Sequence, residues 1–221
     1  VTFGSGDCET VQLLVNAKAV IDRKTNTGEN PLSYAANYGH TGAVHVLLDA
    51  KATVDIKDRC SRTPLYMAAM NGHSDAIQVL VDHKAMVDAK DYMDNIALLM
   101  AATNGHTAAV KVLVNANALI DNLDYRGYTA LHCAADYGHD DTIQALIEAK
   151  ANVDIKATFG STPLGMAARR GYGTIVWQLM DANATVDVED TTNRTPLHIA
   201  AAFGEVRAIK ALLEHPYFRD H

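Results

Sequence analysis

Aromatic side chains make up only 6% of this 221-residue chain, too few for a core of interlocked rings. Its cysteines are three, Cys8, Cys60 and Cys133. An odd number without metal-ligand spacing yields neither a disulfide framework nor a zinc site, so a reducing intracellular setting, cytoplasmic or nuclear, is expected. No apolar run approaches the ~18 residues that mark a membrane-spanning helix, and no signal-peptide pattern is visible. A formal charge of −7 argues against general affinity for nucleic acid or anionic membranes. G-x-S-x-G, a phosphate-binding loop and H-E-x-x-H are also missing. The sequence therefore offers no catalytic centre, and neither an enzyme nor a cofactor is expected.

What the chain has instead is a period. Steps of 33 residues from Leu131 land on Leu32, Leu65, Leu98, Leu164 and Leu197. The same steps from Gly138 give Gly39, Gly72, Gly105, Gly171 and Gly204. Alanine pairs beginning at Ala35, Ala68, Ala101, Ala134, Ala167 and Ala200 keep the register, as do Leu47 to Leu212 and Asp22 to Asp187. Six units without an insertion or deletion signal stacked supersecondary units, each too small to bury a core alone.

The stretch Asp124–His139 shows how one unit works. Thr129 can cap a short helix with its hydroxyl. Leu131, Ala134 and Ala135 give that helix a low apolar face, and Gly138 ends it where the backbone turns through positive φ. So short a helix is unstable alone in water. Thr162-Pro163 and Thr195-Pro196 repeat the start signal, with proline at the first helical position. Val44, Leu47 and Leu48 mark one stripe of a second helix.

The run Thr195-Pro196-Leu197-His198-Ile199-Ala200-Ala201, with its glycine further on, resembles the core motif of the ankyrin repeat, and the resemblance extends over essentially the whole chain. It implies an all-α repeat solenoid: a β-hairpin-like loop and two antiparallel helices per repeat, stacked with curvature. Residues 1–221 then form one domain, with a partial repeat at 1–21 and full repeats at 22–54, 55–87, 88–120, 121–153, 154–186 and 187–219. In residues 1–21, Val11, Leu14, Ala19 and Ile21 match a second helix while the first is missing, which fits a truncated larger array or a degenerate cap, and truncation is the expectation. At the far end His215-Pro216-Tyr217-Phe218 departs from the pattern.

Two further departures concern stability. Lys18, Lys51, Lys84, Asn117, Lys150 and Asn183 stand where the family has a glycine after the second helix; lysine takes the left-handed conformation there at some cost. In the third unit Ile96 and Leu99 replace the Thr and His that the family is expected to hydrogen-bond to each other. Replacing both partners together can be nearly neutral, and Leu99 is expected to be available for contact.

Ten histidines invite a metal hypothesis. However, His40, His73, His106 and His139 recur one unit apart, about 10 Å at usual helix spacing, too far for a shared ion at ~2 Å ligand distances. Imidazoles bonding loop carbonyls between repeats are expected instead, and no metal. The Asp22–Asp187 series is read as turn caps.

The resemblance implies binding through loop tips and the end of each first helix. The 30 positions that this selects hold seven of the 14 aromatics, six of the nine arginines and no lysine. Against six arginines stand only Glu29 and Asp136, a formal +4, which leaves −11 on the remaining residues. Tyrosine and arginine enriched over lysine is the composition of interface hot spots. The candidate partner-binding residues are Arg59, Arg62, Tyr92, Tyr125, Arg126, Tyr128, Tyr137, Phe159, Arg169 and Arg170. Arg169 and Arg170 fall outside the apparent core, so their replacement by Glu is expected to lower thermal stability little. Cys60, between Arg59 and Arg62, is read as a bystander. The expected function is a monomeric, non-enzymatic scaffold whose concave basic and aromatic face grips an acidic protein or peptide with apolar anchors, without nucleic acid or membrane. The alternative is a targeting or regulatory module of a larger enzyme, channel or secreted effector.

Overall fold

The computed structural model describes residues 8–216. Among them there are thirteen α-helices and no strand. Six are first helices of a repeat: α2 (Pro31–Asn37), α4 (Pro64–Met70), α6 (Ala97–Thr103), α8 (Ala130–Tyr137), α10 (Pro163–Arg170) and α12 (Pro196–Phe203). Each is followed by a second helix: α3 (Thr41–Asp49), α5 (Ser74–Asp82), α7 (Thr107–Asn115), α9 (Asp140–Glu148), α11 (Gly173–Asp181) and α13 (Val206–Glu214). α1 (Cys8–Asn16) is a second-type helix and packs on α3, as Val11 and its register predict. This is the all-α repeat architecture that the resemblance implies.

The contacts fall into two compact units. One takes the described residues to Ala101 with His106–Leu119; the other takes Ala102–Gly105 with the described residues from Ile120 onward. Within the first, α2 packs on α3 and α4, and α3 on α5. Within the second, α10 packs on α8, α11 and α12, and α11 on α9 and α13. Both cores are thin. Leu32, Leu65, Leu98, Leu131 and Leu164 are fully buried, together with the paired alanines beside them, because short faces of leucine and alanine let successive helices lie close.

Start and stop signals act as read. Asn30, Thr63, Thr129, Thr162 and Thr195 cap their helices through the side chain. Gly138 has φ 81°, and a Cβ on it would also stand 2.8 Å from the Tyr172 ring of the next repeat. A side chain there would strain the backbone and displace the Tyr172 ring. Lys18, Lys51, Lys84 and Lys150 do take positive φ, between 59° and 69°, at about 1 kcal/mol each. Pro216 follows the last turn of α13, and the departing Tyr217 and Phe218 lie outside the described residues.

The periodic aspartates tie the start of a repeat to its end, and the periodic histidines join one repeat to the one before. Asp22, Asp55 and Asp88 in the first unit accept the backbone N–H of Thr53, Met86 and Leu119, each 31 residues on. Asp121 and Asp154 in the second do the same for Asn152 and Thr185. They cap turns as expected, but the turn at the far end of the same repeat, 31 residues on. His73 and His139 bond the carbonyls of Asn37 and Thr103 through Nε2 at 3.1 and 3.0 Å, the structural role anticipated for this histidine series. Leu99 corrects the reading of the third unit: it is fully buried together with Ile96. The apolar pair is core, and Leu99 is not a contact residue.

Candidate partner-binding site

The site begins with a loop aspartate. Asp124, buried at the start of D-Y-R-G-Y, accepts the backbone N–H of Arg126 and of Tyr128 at 2.8 Å each. Its second oxygen takes Nε of Arg126 at 2.9 Å. The guanidinium is thereby folded back over the Tyr128 ring, 4.2 Å from its centroid, and 5.5 Å from that of Tyr125. Cation–π attraction adds to the ion pair. Tyr128 in turn stacks on His132, centroids 5.6 Å apart. Burial pushes the Tyr128 phenol up, while the charges of Arg126 and Arg169 pull it the other way.

His132 anchors this stack. Its Nε2–H donates to the Ser161 carbonyl of the next loop at 3.1 Å, which leaves Nδ1 to accept from the Thr129 hydroxyl at 2.8 Å. This is the Thr–His bond expected from the family motif. Burial lowers the imidazole pKa from 6.5 to about 4, against the raising effect of the Ser161 carbonyl, so the ring is neutral at pH 7.

A second cluster forms at the helix ends. Asp136, in the last turn of α8, receives two guanidiniums from the last turn of α10. Arg169 Nη2 lies 2.8 Å from Oδ1; Arg170 reaches Oδ1 through Nε at 2.9 Å and Oδ2 through Nη2 at 3.2 Å. Burial would raise the Asp136 pKa, but the bonds from Arg170 and Arg169 hold it below the usual carboxylate range. These arginines thus tie α10 to α8. Their reading as bystanders to stability is corrected: reversing both charges would set three carboxylates together.

The ten candidate residues divide between the units. Arg59, Arg62 and Tyr92 belong to the first, and the other seven to the second. Arg62 is committed to Asp58, with Nε 2.7 Å from the carboxylate. Arg59 and Tyr92 are exposed loop-tip residues whose backbone N–H groups donate to Thr27 and Cys60 carbonyls. In the second unit the structure brings Tyr125, Arg126 and Tyr128 together, and Arg169 and Arg170 with Asp136. Tyr137 is exposed, its ring stacked at 6.4 Å on His139. Phe159 is 75% exposed, on a loop held to the Tyr125 loop by Thr158 N–H donating to the Arg126 carbonyl. At φ 67° it is a bulky side chain in a left-handed conformation, uncommon and worth about 1 kcal/mol of strain.

The charge count is revised by residues that the candidate positions omit. Asp58, Asp124 and Asp190 each hold one arginine of the selected positions, Arg62, Arg126 and Arg194, which reduces the formal excess counted over those positions from +4 to +1. The signal was present: Asp58, Asp91, Asp124 and Asp190 are in register. The first unit also contains an apolar hollow of 680 Å³ bordered by Val11, Leu14, Ile21, Pro31, Tyr34 and Leu47, which the periodicity gives no reason to expect. Among the described residues, no helix is long and apolar enough to cross a membrane, and no three His, Cys, Asp or Glu side chains are placed to hold a metal ion.

A family model for ankyrin repeats matches residues 2–91, 92–158 and 147–220. Among solved structures, the crystal structure of the human ASB11 ankyrin repeat domain superimposes with a TM-score of 0.86, covering 95% of this chain and 93% of that one at 24% identity. At that identity the likeness establishes the fold alone. No curated protein matches the chain.

Proposed function

Because the chain belongs to the ankyrin-repeat family, whose repeats are generally protein–protein interaction modules, we propose that it is a non-catalytic recognition module that grips a protein or peptide through loop tips and first-helix ends. The observation that carries this reading is the ordered group in the second unit. Tyr125, Tyr137 and Phe159 are more than half exposed, while Arg126, Arg169 and Arg170 are held by internal aspartates. A solvated face has no need of exposed rings beside pinned cations. A binding face benefits from both, since side chains ordered beforehand lose less entropy on association. Lysine serves elsewhere: Lys24, Lys57 and Lys156 donate to backbone carbonyls one repeat on.

The partner that fits is acidic, with one or two apolar side chains to cover the rings. Tyr125→Ala should weaken its binding by about 2 kcal/mol or more, the loss typical of a central aromatic anchor. The melting temperature should hardly move, because the ring is 61% exposed. Pull-down from cells that express the protein, run beside a melting curve of the variant, tests this. Full capture by the folded variant would place the interface elsewhere.

A further inference from the structure

We infer that Arg169, Arg170 and Asp136 form a receptor for one partner carboxylate, an Asp or Glu side chain, in which Asp136 is a positioning residue. The inference rests on the recognition reading above and names the chemistry of one of its contacts. Three arginines of the face sit in one-to-one pairs with an aspartate of their own loop, where the charge is spent. Here two guanidiniums share a single carboxylate, so one positive charge is uncompensated. Asp136 commits both oxygens, and its side chain is only 12% exposed, whereas those of Arg169 and Arg170 are 40% and 48% exposed.

Geometry favours a carboxylate. Arg169 gives one N–H to Asp136 and Arg170 gives two, out of five donors on each guanidinium. The remaining donors can take a second carboxylate through the paired N–H contacts that arginine offers. Both arginines of α10 are anchored to the adjacent helix α8 by the same acid, so binding need not order two long side chains. Tyr137, one residue beyond Asp136, is more than half exposed and offers an apolar ring to the same ligand. The expected ligand motif is an acidic residue with an apolar neighbour.

Asp136→Asn separates this from simple attraction. It adds a positive charge to the face, so attraction alone predicts tighter binding of an acidic peptide. Loss of the anchor leaves both arginines to be ordered on binding and predicts weaker binding. The test is selection of displayed random dodecamers on the intact chain, followed by affinities for selected peptides and their Glu→Gln or Asp→Asn analogues, with melting curves for every variant. The expected result is enrichment of acidic residues and an acid-over-amide preference of about tenfold or more. Arg169→Gln with Arg170→Gln should abolish that preference, and Asp136→Asn should weaken acidic peptides by about tenfold. Asp136→Glu should restore part of it. Tighter binding by Asp136→Asn overturns the inference while the recognition reading stands; selected peptides without acidic enrichment overturn the inference and the acidic character of the partner, and leave recognition through the exposed rings. Peptides that are indifferent to Tyr125→Ala as well count against both.

Discussion

Leu131→Ala should lower the unfolding free energy by roughly 2–5 kcal/mol. The side chain is completely buried in a helix that packs on both α9 and α10. Its neighbours one turn on along α8, Ala134 and Ala135, are too small to close the gap. The opposite change is also unfavourable. Ala134→Leu forces three extra carbons into a contact built for a methyl group and should cost about 1–3 kcal/mol. Urea unfolding of both variants measures this. Unchanged midpoints in the two would mean that α8 does not form the stacking surface assigned to it.

A comparably large effect is expected from pH, through His132. Its folded pKa is about 4 and its ordinary value 6.5. The unfolded chain therefore binds the proton more readily, and stability must fall as pH drops through that window. The loss starts near pH 6.5, is complete just below pH 4, and amounts to something on the order of 3 kcal/mol. Asp136 belongs to a lower window: its depressed pKa gives stability that is present above the ordinary carboxylate value and disappears below it. Replacing Thr129 and His132 together by Ile and Leu copies the buried Ile96 and Leu99 pair. Melting curves of this double variant between pH 7 and 4.5 should show a shallower decline than wild type. His132→Leu alone should be less stable at pH 7, because it strands the Thr129 hydroxyl in a buried position. Identical slopes for wild type and the double variant would rule out His132 as the source.

The fold was legible because its signals are local and repeated. A leucine, an alanine pair and a terminal glycine say the same thing six times and a capping Thr four times, and each is satisfied within one helix or against its copy 33 residues away. The aspartate caps were legible in kind but not in direction, since the carboxylate of Asp22 reaches Thr53 rather than its own turn. The aromatic positions could be named, but not their grouping around Arg126, which depends on how Asp124 folds the loop. Charge was the weakest inference. Counting selected positions treated arginines as free cations, whereas Asp58, Asp124 and Asp190 lie just outside the count. Asp136 and Arg169 are one period apart, so their pairing could have been read from the register. The burial of Leu99 could also have been anticipated, since its position is that of buried His132.

Site-resolved photo-crosslinking is the most direct test of the proposed face. A photoreactive benzoylphenylalanine is placed at Tyr125, at Phe159, or at Gln144 on the exposed side of α9 as the control, and each folded variant is irradiated in extract of cells that express the protein. The account predicts covalent adducts of one common size from positions 125 and 159, suppressed in the Arg169→Gln, Arg170→Gln background, and none of that size from 144. Adducts from position 144 with none from 125 and 159 would contradict it.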